Sequence, residues 1–435
     1  MSKSSDLYDR GLKVMPGGCS RNTILKKPHP LYVEKGEGCY VTDIEGVERV
    51  DFANNMCSLI HGHAHPAITE AVTAQLAKGT AFTIGTEAEV LYAEHIVNRS
   101  DSFEKMRFVN SGTEAVMSCL KAARAYTGRS KIAKAEGAYH GLYDYAEVSQ
   151  TSKPENWGDA DSPSSVPVAY GTPQAALDDV VIIPFNDTER ALKILDENAE
   201  DLACVVLDLL PHRIGLIPAN EDFVRAVYNW TRKNDSLLVF DEVITYRMNY
   251  GGAQQWFEGI NPDLTAMGKM IGGGFPVGAL AGRADVMDVM NPLTEKVLFP
   301  HSGTFSANPI TMTAGRVAMD LFDQEALVKI NILADYARKS IREAINIADV
   351  PACVTGAGSM FRIHMKSEEP TSYRDGYVNH REKNLTKTLL NHLFDDGIMM
   401  INTCSGVLST VMGEKEIDRL SEAVLGGLNK MKNQF

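Results

Sequence analysis

The feature that most constrains the fold is a regular alternation of helical patterns with short apolar runs between about residues 66 and 322. The apolar runs at 180–183, 203–207, 237–241 and 264–268 lack the polar alternation of a half-exposed strand. Such runs predict strands buried on both faces of a mostly parallel sheet, with helices covering it. The sequence therefore predicts an α/β protein whose active site lies beyond the carboxyl ends of the strands.

The segments on either side of this region have a different pattern of apolar and polar residues. Residues 31–52 alternate apolar and polar side chains around glycines, which predicts a small antiparallel meander. After residue 322, helical patterns at 325–347, 383–394 and 415–430 alternate with short strand-like runs. We therefore predict an N-terminal segment (1–65) that belongs to a small domain, a large domain (66–322), and a C-terminal small α+β domain (323–435). The serine- and proline-rich stretch 151–174 should be an irregular, functional loop.

Composition excludes several classes of partner. A chain of 435 residues with a net charge of −13 lacks the basic face that nucleic acids require. The N-terminus does not resemble a signal peptide, and there is no 18-residue apolar run for a membrane span. The seven cysteines show no CxxC spacing, which suits a reducing compartment. We expect a cytoplasmic protein that binds neither nucleic acid nor membrane.

A lysine and an acid follow two of the predicted buried strands. Lys269 follows the run 264–268 and precedes a glycine-rich stretch, and Asp241 ends the run 237–241. Desolvation disfavours the ammonium form of a lysine, and a neutral amine condenses with an aldehyde. The two residues together suggest an enzyme that uses pyridoxal 5′-phosphate.

Three further motifs offer groups for such a cofactor. Ser111, Gly112 and Thr113, in the sequence NSGTE, would begin a helix whose free N–H groups suit a phosphate, although a simple helix cap explains them equally well. Tyr139, in the sequence YHG, could lay its ring against a pyridine ring, or could support a turn. Thr304, in the sequence HSGTF, offers another phosphate ligand, or an ordinary helix cap.

Three closely spaced histidines resemble a metal site at first sight. His61, His63 and His65 alternate with Gly62 and Ala64 before a proline. No neighbouring cysteine or carboxylate cluster completes a ligand set. We interpret this segment as a structural turn or a dimer contact, and predict no metal.

The ordered motifs NSGTE, YHG, DEV at 241–243, Lys269 with its glycine tail, and HSGTF resemble those of the class III aminotransferases. This family of fold-type I enzymes depends on pyridoxal phosphate and includes glutamate-1-semialdehyde aminomutase. The resemblance covers nearly the whole chain. It implies a large domain built on a mostly parallel, seven-stranded sheet and a smaller α+β domain.

The resemblance also implies a role for each residue. Lys269 would bind the cofactor covalently and then move a proton during catalysis, and Asp241 would keep the pyridine nitrogen protonated. Ser111, Gly112 and Thr113 would hold the phosphate. Tyr139 and Val243 would pack on opposite sides of the ring, and Thr304 would reach the phosphate bound by a partner subunit. The resemblance therefore implies a homodimer with shared active sites.

Substrate recognition is less well defined by the sequence. Ser20 and Arg21, after Pro16, Gly17 and Gly18, resemble the Ser-Arg pair of β-phenylalanine aminotransferases, in which the arginine binds the substrate carboxylate. The tail sequence 401–406 has neither the second arginine of those enzymes nor the glutamate of the aminomutases. Arg213 is a candidate replacement for that arginine, and the alternative is a solvated loop arginine.

Three hypotheses about function remain open at this stage. The first is an aminotransferase that moves an amino group from a carboxylate-bearing amine, such as a β-amino acid, to a 2-oxo acid. The alternative is an intramolecular 2,1-aminomutase of the glutamate-1-semialdehyde type. The third is a homologue that binds the cofactor without turnover. The identities of the donor and the acceptor are not predicted.

Overall fold

A computed structural model describes residues 2–435. In this range the strands are β1 (Val33–Glu37), β2 (Tyr40–Asp43), β3 (Glu48–Asp51), β4 (Lys105–Val109), β5 (Lys131–Ala135), β6 (Gly158–Asp159), β7 (Ser162–Pro163), β8 (Val180–Ile183), β9 (Leu202–Leu207), β10 (Leu237–Asp241), β11 (Leu264–Gly268), β12 (Gly278–Gly282), β13 (Cys353–Thr355), β14 (Met360–His364), β15 (Ile398–Met399) and β16 (Ser405–Val407).

The α-helices are α1 (Lys3–Gly11), α2 (Pro66–Leu76), α3 (Glu87–Val97), α4 (Gly112–Thr127), α5 (Asp144–Glu147), α6 (Gln174–Asp178), α7 (Thr188–Asp196), α8 (Glu221–Lys233), α9 (Ala284–Met287), α10 (Pro309–Leu321), α11 (Gln324–Ala348), α12 (Tyr373–Gly376), α13 (His380–Asp395) and α14 (Glu414–Met431). Across residues 2–435, none of the helices combines the length and hydropathy needed to cross a membrane.

The largest sheet in the described range has seven strands in the order β4-β12-β11-β10-β9-β5-β8. Strand β12 runs antiparallel to both of its neighbours, and the other pairs are parallel. Strands β9, β10, β11 and β12 are buried along their whole length, as expected of strands covered by helices on both faces. The predicted α/β fold with a mostly parallel seven-stranded sheet is confirmed.

Two smaller sheets are built from strands near the two ends of the chain. β15 pairs in parallel with β3, with Ile398 opposite Val50, so the N-terminal meander and the C-terminal region share a four-stranded sheet. Strands β13, β14 and β16, which all come from the C-terminal region, form a separate three-stranded sheet. The stretch 151–174 contains the hairpin β6–β7, which the sequence did not predict. The domain boundaries stay a prediction.

Residues Asn54–Cys57 form one turn of left-handed helix directly after β3. Their φ angles are 44°, 45°, 56° and 74°. Left-handed helical geometry costs roughly 1–2 kcal/mol for each residue with a Cβ atom, and such residues normally occur singly. Backbone strain of this kind persists only where surrounding contacts fix it, and it concentrates at functional sites. The turn is therefore a candidate part of the active site.

Candidate active site

The predicted cofactor residues converge at one edge of the seven-stranded sheet. Ser111 follows β4, Tyr139 follows β5, Asp241 ends β10 and Lys269 follows β11. These four strands are parallel to one another, so their carboxyl ends lie at the same edge. The fold thus brings together residues that are up to 158 positions apart (269 − 111).

Asp241 is buried and held by two hydrogen bonds. Its Oδ1 accepts from the backbone N–H of Val243 at 3.0 Å, and its Oδ2 lies 2.7 Å from Nδ1 of His140. Burial lowers the pKa of His140, which keeps its ring neutral, so Nδ1 carries the proton that it donates to the carboxylate. His140 therefore orients Asp241 without neutralising its charge. This role of His140 was not predicted from the sequence, because only Tyr139 of the motif YHG was assigned a contact.

Lys269 is half-buried and has a left-handed backbone, with φ 51°. Other ionisable groups surround its side chain. Burial raises the pKa of Cys57 and the pKa of Asp208. The positive charge of Lys269 acts in the opposite direction on both pKa values. Burial lowers the pKa of His212 to about 3, and the Lys269 charge contributes to that decrease. The lysine thus lies among the strained turn, the end of β9 and the loop that follows β9.

Ser111, Gly112 and Thr113 at the start of α4 form a narrow site, called the cradle below. A Cβ atom added to Gly112 would lie 2.9 Å from Cγ1 of Val243, and one added to Gly141 would lie 2.7 Å from Oγ1 of Thr113. The hydroxyl of Ser111 accepts from the backbone N–H of Glu114 at 3.1 Å, as an N-cap does. The helix cap and the phosphate site are thus compatible, since the remaining N–H groups of the first turn stay available.

We expect Gly278→Ala to distort this cradle by crowding the backbone of Ser111. Gly278 begins β12, and an added Cβ atom would overlap the carbonyl oxygen of Ser111. Overpacking of this kind costs about 1–3 kcal/mol and would displace the loop before α4. Thermal unfolding should show the loss of stability, and titration with pyridoxal phosphate should show weaker binding. Gly85→Ala is the control, because its Cβ atom would meet no atom within 4 Å. Equal effects of the two substitutions would contradict this description of the cradle.

Tyr139 is partly exposed, and the guanidinium of Arg213 lies over its ring. The distance from Cζ of Arg213 to the ring centroid is 5.0 Å. Burial raises the pKa of Tyr139, against the opposing effect of the Arg213 charge. The sequence left open whether Arg213 belongs to the site, and the structure places it beside a predicted cofactor residue.

Arg21 contacts the strained turn. Its Nη1 donates to Oδ1 of Asn55 at 2.8 Å, and the rest of the side chain is exposed. The same turn ends at Cys57, whose pKa responds to the Lys269 charge. Arg21 is thereby linked to the surroundings of Lys269, although the two residues are 248 positions apart (269 − 21).

A buried arginine that the sequence analysis missed fixes this turn. Arg247, six positions after Asp241, donates to the carbonyl oxygens of Cys57, at 3.3 Å, and of Leu408, and to the hydroxyl of Ser359, at 2.7 Å. The turn is held from its other end by Asp51, whose Oδ1 accepts from the backbone N–H of Asn54 at 2.9 Å. These bonds are the contacts that offset the left-handed strain.

Asp208 is a second buried carboxyl group beside Asp241. Leu207 of β9 pairs with Phe240 of β10, so Asp208, which follows β9, and Asp241, which ends β10, occupy neighbouring positions on adjacent strands. Burial, and then the negative charge of Asp241, raise the pKa of Asp208 well above its usual range. No role was assigned to Asp208 from the sequence.

Two predicted site residues lie apart from this group. Thr304 is on an exposed loop, and its neighbour Gly303 faces the side chain of Asn110. Ser20 is exposed and its hydroxyl points to Sδ of Met15, at 3.8 Å. Within residues 2–435 no hydrogen bond joins either residue to Lys269 or Asp241. Their roles stay predictions.

The three histidines at 61–65 are occupied by protein contacts. His61 bonds to Oγ1 of Thr410 and to the carbonyl oxygen of Ala318, both at 2.8 Å, and His63 bonds to Asp51 at 2.8 Å. Burial lowers the pKa of His61 to about 4, so its ring is neutral. Over the described part of the chain, no group of three or more His, Cys, Asp or Glu side chains has metal-binding geometry.

The fold and the site define a fold-type I enzyme, and comparison with known proteins identifies the family. The family model described as aminotransferase class III matches residues 24–415. The chain therefore belongs to the class III aminotransferases. The predicted family, its enzymatic character and its dependence on pyridoxal phosphate are confirmed.

Individual relatives carry different names. A protein of Methanothermobacter thermautotrophicus named glutamate-1-semialdehyde 2,1-aminomutase is 37% identical over 374 residues, which is 86% of each chain. The crystal structure of an omega-transaminase from Sphaerobacter thermophilus is 43% identical, with a TM-score of 0.97 over 99% of this chain and 98% of that one. A β-phenylalanine aminotransferase from Variovorax paradoxus is 31% identical, with a TM-score of 0.88 over 99% and 94%.

The residues present fit pyridoxal phosphate. The cradle at α4 leaves no room for side chains at Gly112 and Gly141, as close approach of a phosphate requires. Nε2 of His140 is buried without a hydrogen-bond partner, and both oxygens of Asp241 are fixed in direction. Asp241 would hold the ring nitrogen, and Lys269 the aldehyde carbon.

Proposed function

We propose that the protein is an aminotransferase that moves an amino group from a carboxylate-bearing amine to a 2-oxo acid, with β-amino acids as the first donors to test. One observation carries the proposal. Arg21, an arginine without a carboxylate partner in residues 2–435, is joined through Asn55 to the strained turn that lies next to Lys269. A guanidinium at this place can grip a carboxylate through two parallel hydrogen bonds.

Each side chain of the proposed site has a separate role in the reaction. Bound pyridoxal phosphate supplies an electron sink for the bond broken at the amine-bearing carbon. Lys269 Nζ takes the proton from that carbon, and its half-buried position keeps bulk water from competing. Asp241, oriented by His140, keeps a proton on the ring nitrogen, since a buried negative charge favours the cationic form. Ser111 and Thr113 would bind the phosphate, and Tyr139 and Val243 would pack on opposite sides of the ring.

The aminomutase is the second candidate, and the names of the curated relatives favour it over transfer between molecules. In support of intermolecular transfer, the 43% identical solved structure bears a transaminase name. Support also comes from the tail 401–406, which lacks the glutamate expected of the aminomutases. A homologue without turnover is the third candidate. It is the least supported, because Lys269, Asp241 and the phosphate cradle are all in place.

We also propose a homodimer with shared active sites. Thr304 is exposed on its own subunit, and its neighbour Phe305 leaves 60% of its surface open to solvent. A large apolar side chain beside a predicted phosphate ligand suits a surface that a second copy covers. The predicted contact of Thr304 with the partner's phosphate would account for both observations.

A donor-only experiment separates the three candidates. When β-phenylalanine is added to the purified holoenzyme without any acceptor, we expect the visible absorbance of the bound cofactor to fall and to stay low. Addition of a 2-oxo acid should then restore it, because the amino group leaves with the second substrate. Arg21→Gln should require about ten- to a hundredfold more donor for the same response, since one charge-assisted contact is lost.

The other outcomes have distinct meanings. Absorbance that returns without an acceptor, during incubation with glutamate-1-semialdehyde, would indicate the aminomutase. A protein that binds the cofactor but responds to no amine would be a homologue without turnover. Either result would overturn the proposed transfer between molecules.

A further inference from the structure

Lys134 is a fully buried lysine near the end of β5, and its amine contacts both ends of the segment that carries Tyr139. Its Nζ donates to the carbonyl oxygen of Ala138 at 2.8 Å and to that of Val148 at 2.7 Å. We call residues 138–148 the tyrosine segment. One side chain therefore fixes the point where this segment begins and the point where it ends.

The amine of Lys134 is buried without a carboxylate to balance its charge. Among residues 2–435, its hydrogen bonds go to the two carbonyl oxygens and no acid forms an ion pair with it. Burial, and then the charge of Arg213, lower the pKa of Lys134 to about 7, against the opposing charge of Glu147. An apolar side chain of similar volume would avoid the desolvation of an amine. The two hydrogen bonds are thus the contribution that only the lysine makes.

The tyrosine segment meets the cofactor site at three successive residues. Tyr139 is the proposed partner of the cofactor ring, and Nδ1 of His140 lies 2.7 Å from Oδ2 of Asp241. Gly141 lies against the cradle, since an added Cβ atom would be 2.7 Å from the hydroxyl of the cradle's threonine. Burial lowers the pKa of His140, and the charge of Lys134 adds to this effect. A shift of the segment would therefore disturb the ring contact, the acid and the phosphate site together.

The backbone between the two anchored carbonyls forms few bonds of its own. In the part of the chain that the structure describes, no backbone hydrogen bond joins residues 139–142 to another backbone group. The N–H of Gly137 donates to the carbonyl oxygen of Ser149 at 3.0 Å, just outside the two carbonyls that Lys134 binds. Segments with few backbone bonds open locally at a small free-energy cost. The position of the tyrosine segment therefore depends on the anchors at its ends.

From these contacts we propose that Lys134 is a positioning residue, which holds the tyrosine segment so that Tyr139 and His140 reach the cofactor ring and Asp241. Its buried amine acts only through the two carbonyl oxygens. The inference rests on the proposed role of Tyr139 in cofactor binding and names the residue that fixes this side chain in place. Without the amine, both carbonyl oxygens lose their partner, and the segment would open to let water reach them.

Hydrogen exchange of the holoenzyme tests whether Lys134 holds the segment. Lys134→Met keeps a similar volume and removes both donated bonds. We expect amide exchange within residues 138–148 to become about five- to thirtyfold faster, because two hydrogen bonds no longer oppose local opening. Exchange in β10 and β11 should stay as it is in the unaltered protein. A general loss of folding stability would instead accelerate exchange throughout the sheet.

The bound cofactor provides the second readout. Circular dichroism in the visible range reports the asymmetric surroundings of the cofactor ring, and we expect Lys134→Met to reduce it. The dissociation constant of pyridoxal phosphate should rise about five- to thirtyfold, since part of the binding free energy would be spent on closing the segment. Lys134→Gln keeps two N–H donors on a shorter, uncharged side chain, so its changes should be smaller and of the same kind.

A control on the same strand and three contrary outcomes complete the test. Lys131→Met makes the same substitution at the start of β5, where the lysine pairs with Asp201 at 3.2 Å, and should change neither readout. Unchanged exchange in residues 138–148 of Lys134→Met would overturn the proposal. Faster exchange with unaltered dichroism and cofactor affinity would also overturn it, and so would equal effects of the two lysine substitutions. These results are separate from the donor-only experiment, so failure of the proposed amino transfer would be recognised independently.

Discussion

Replacement of Lys269 by alanine is expected to lower the turnover number by about a hundred- to ten-thousandfold, the contribution of a positioned proton-transfer group. The variant should also lose the covalent attachment of the cofactor. Borohydride, which makes that attachment permanent, should add the mass of the reduced cofactor to the unaltered protein and not to Lys269→Ala. The measurements are steady-state kinetics and the intact mass of the protein.

The control for this prediction is Lys269→Arg. Arginine keeps the positive charge beside Cys57 and His212, but it does not provide a neutral amine at accessible pH. Alanine and arginine both carry a Cβ atom, so the left-handed backbone at φ 51° is as strained in either variant as in the original protein. Unfolding temperatures should therefore change little. A Lys269→Ala protein that still turned over at a comparable rate would refute the central assignment.

Much of the large domain could be predicted because its strands are apolar runs of buried sheet. The predicted strand bounds at 180–183, 237–241 and 264–268 agree with the observed β8, β10 and β11. Outside the large domain, the helix predicted at 325–347 agrees with α11 to within one residue at each end. These elements are long enough, or buried enough, for local pattern to decide their structure. Pairings between distant segments, such as that of β15 with β3, leave no local pattern and were not predicted in register.

Ser111, Tyr139, Asp241 and Lys269 could be expected to lie close together because each lies at or just after the end of a strand, and parallel strands end at a common edge. The residues that support them were not predictable. The left-handed turn Asn54–Cys57 contains no glycine, and although asparagine tolerates positive φ angles, it normally does so as a single residue, so Asn54 and Asn55 do not predict four left-handed residues in a row. Arg247 acts through contacts with Cys57, Ser359 and Leu408, which are more than a hundred positions away from it in sequence. Such roles depend on tertiary packing, which a single sequence does not encode locally.

The structure adds a different contact for each of the two candidate substrate arginines. Arg21 was predicted from its resemblance to a known pair, and the structure adds its contact with Asn55. Arg213 was left open, because a loop arginine is usually solvated. Its position over Tyr139 could not be seen from the sequence, since the two residues follow different strands, β9 and β5. Strand adjacency within the sheet, β9 beside β5, explains the contact.

Replacement of Asp241 by alanine is expected to lower turnover by about a hundred- to a thousandfold, the usual effect of removing one pre-organised electrostatic group. Cofactor retention should change far less, because the cradle at Ser111, Gly112 and Thr113 and the bond to Lys269 remain. The measurements are the turnover number and the dissociation constant of pyridoxal phosphate for the same preparation.

Three comparisons test whether the charge of Asp241, rather than its volume, is responsible for this effect. Asp241→Asn keeps the shape and the hydrogen bond from His140 but removes the negative charge, so its turnover should fall about as far as that of Asp241→Ala. A cofactor analogue with a permanent positive charge on the ring nitrogen should restore part of the activity of both variants, because the protonation that Asp241 maintains is then built in. His140→Leu should have a smaller effect, since it disturbs only the orientation of the carboxylate. Equal activity of Asp241→Asn and the unaltered protein would show that the ring nitrogen needs no charged partner, and Asp241 would then be only a structural residue.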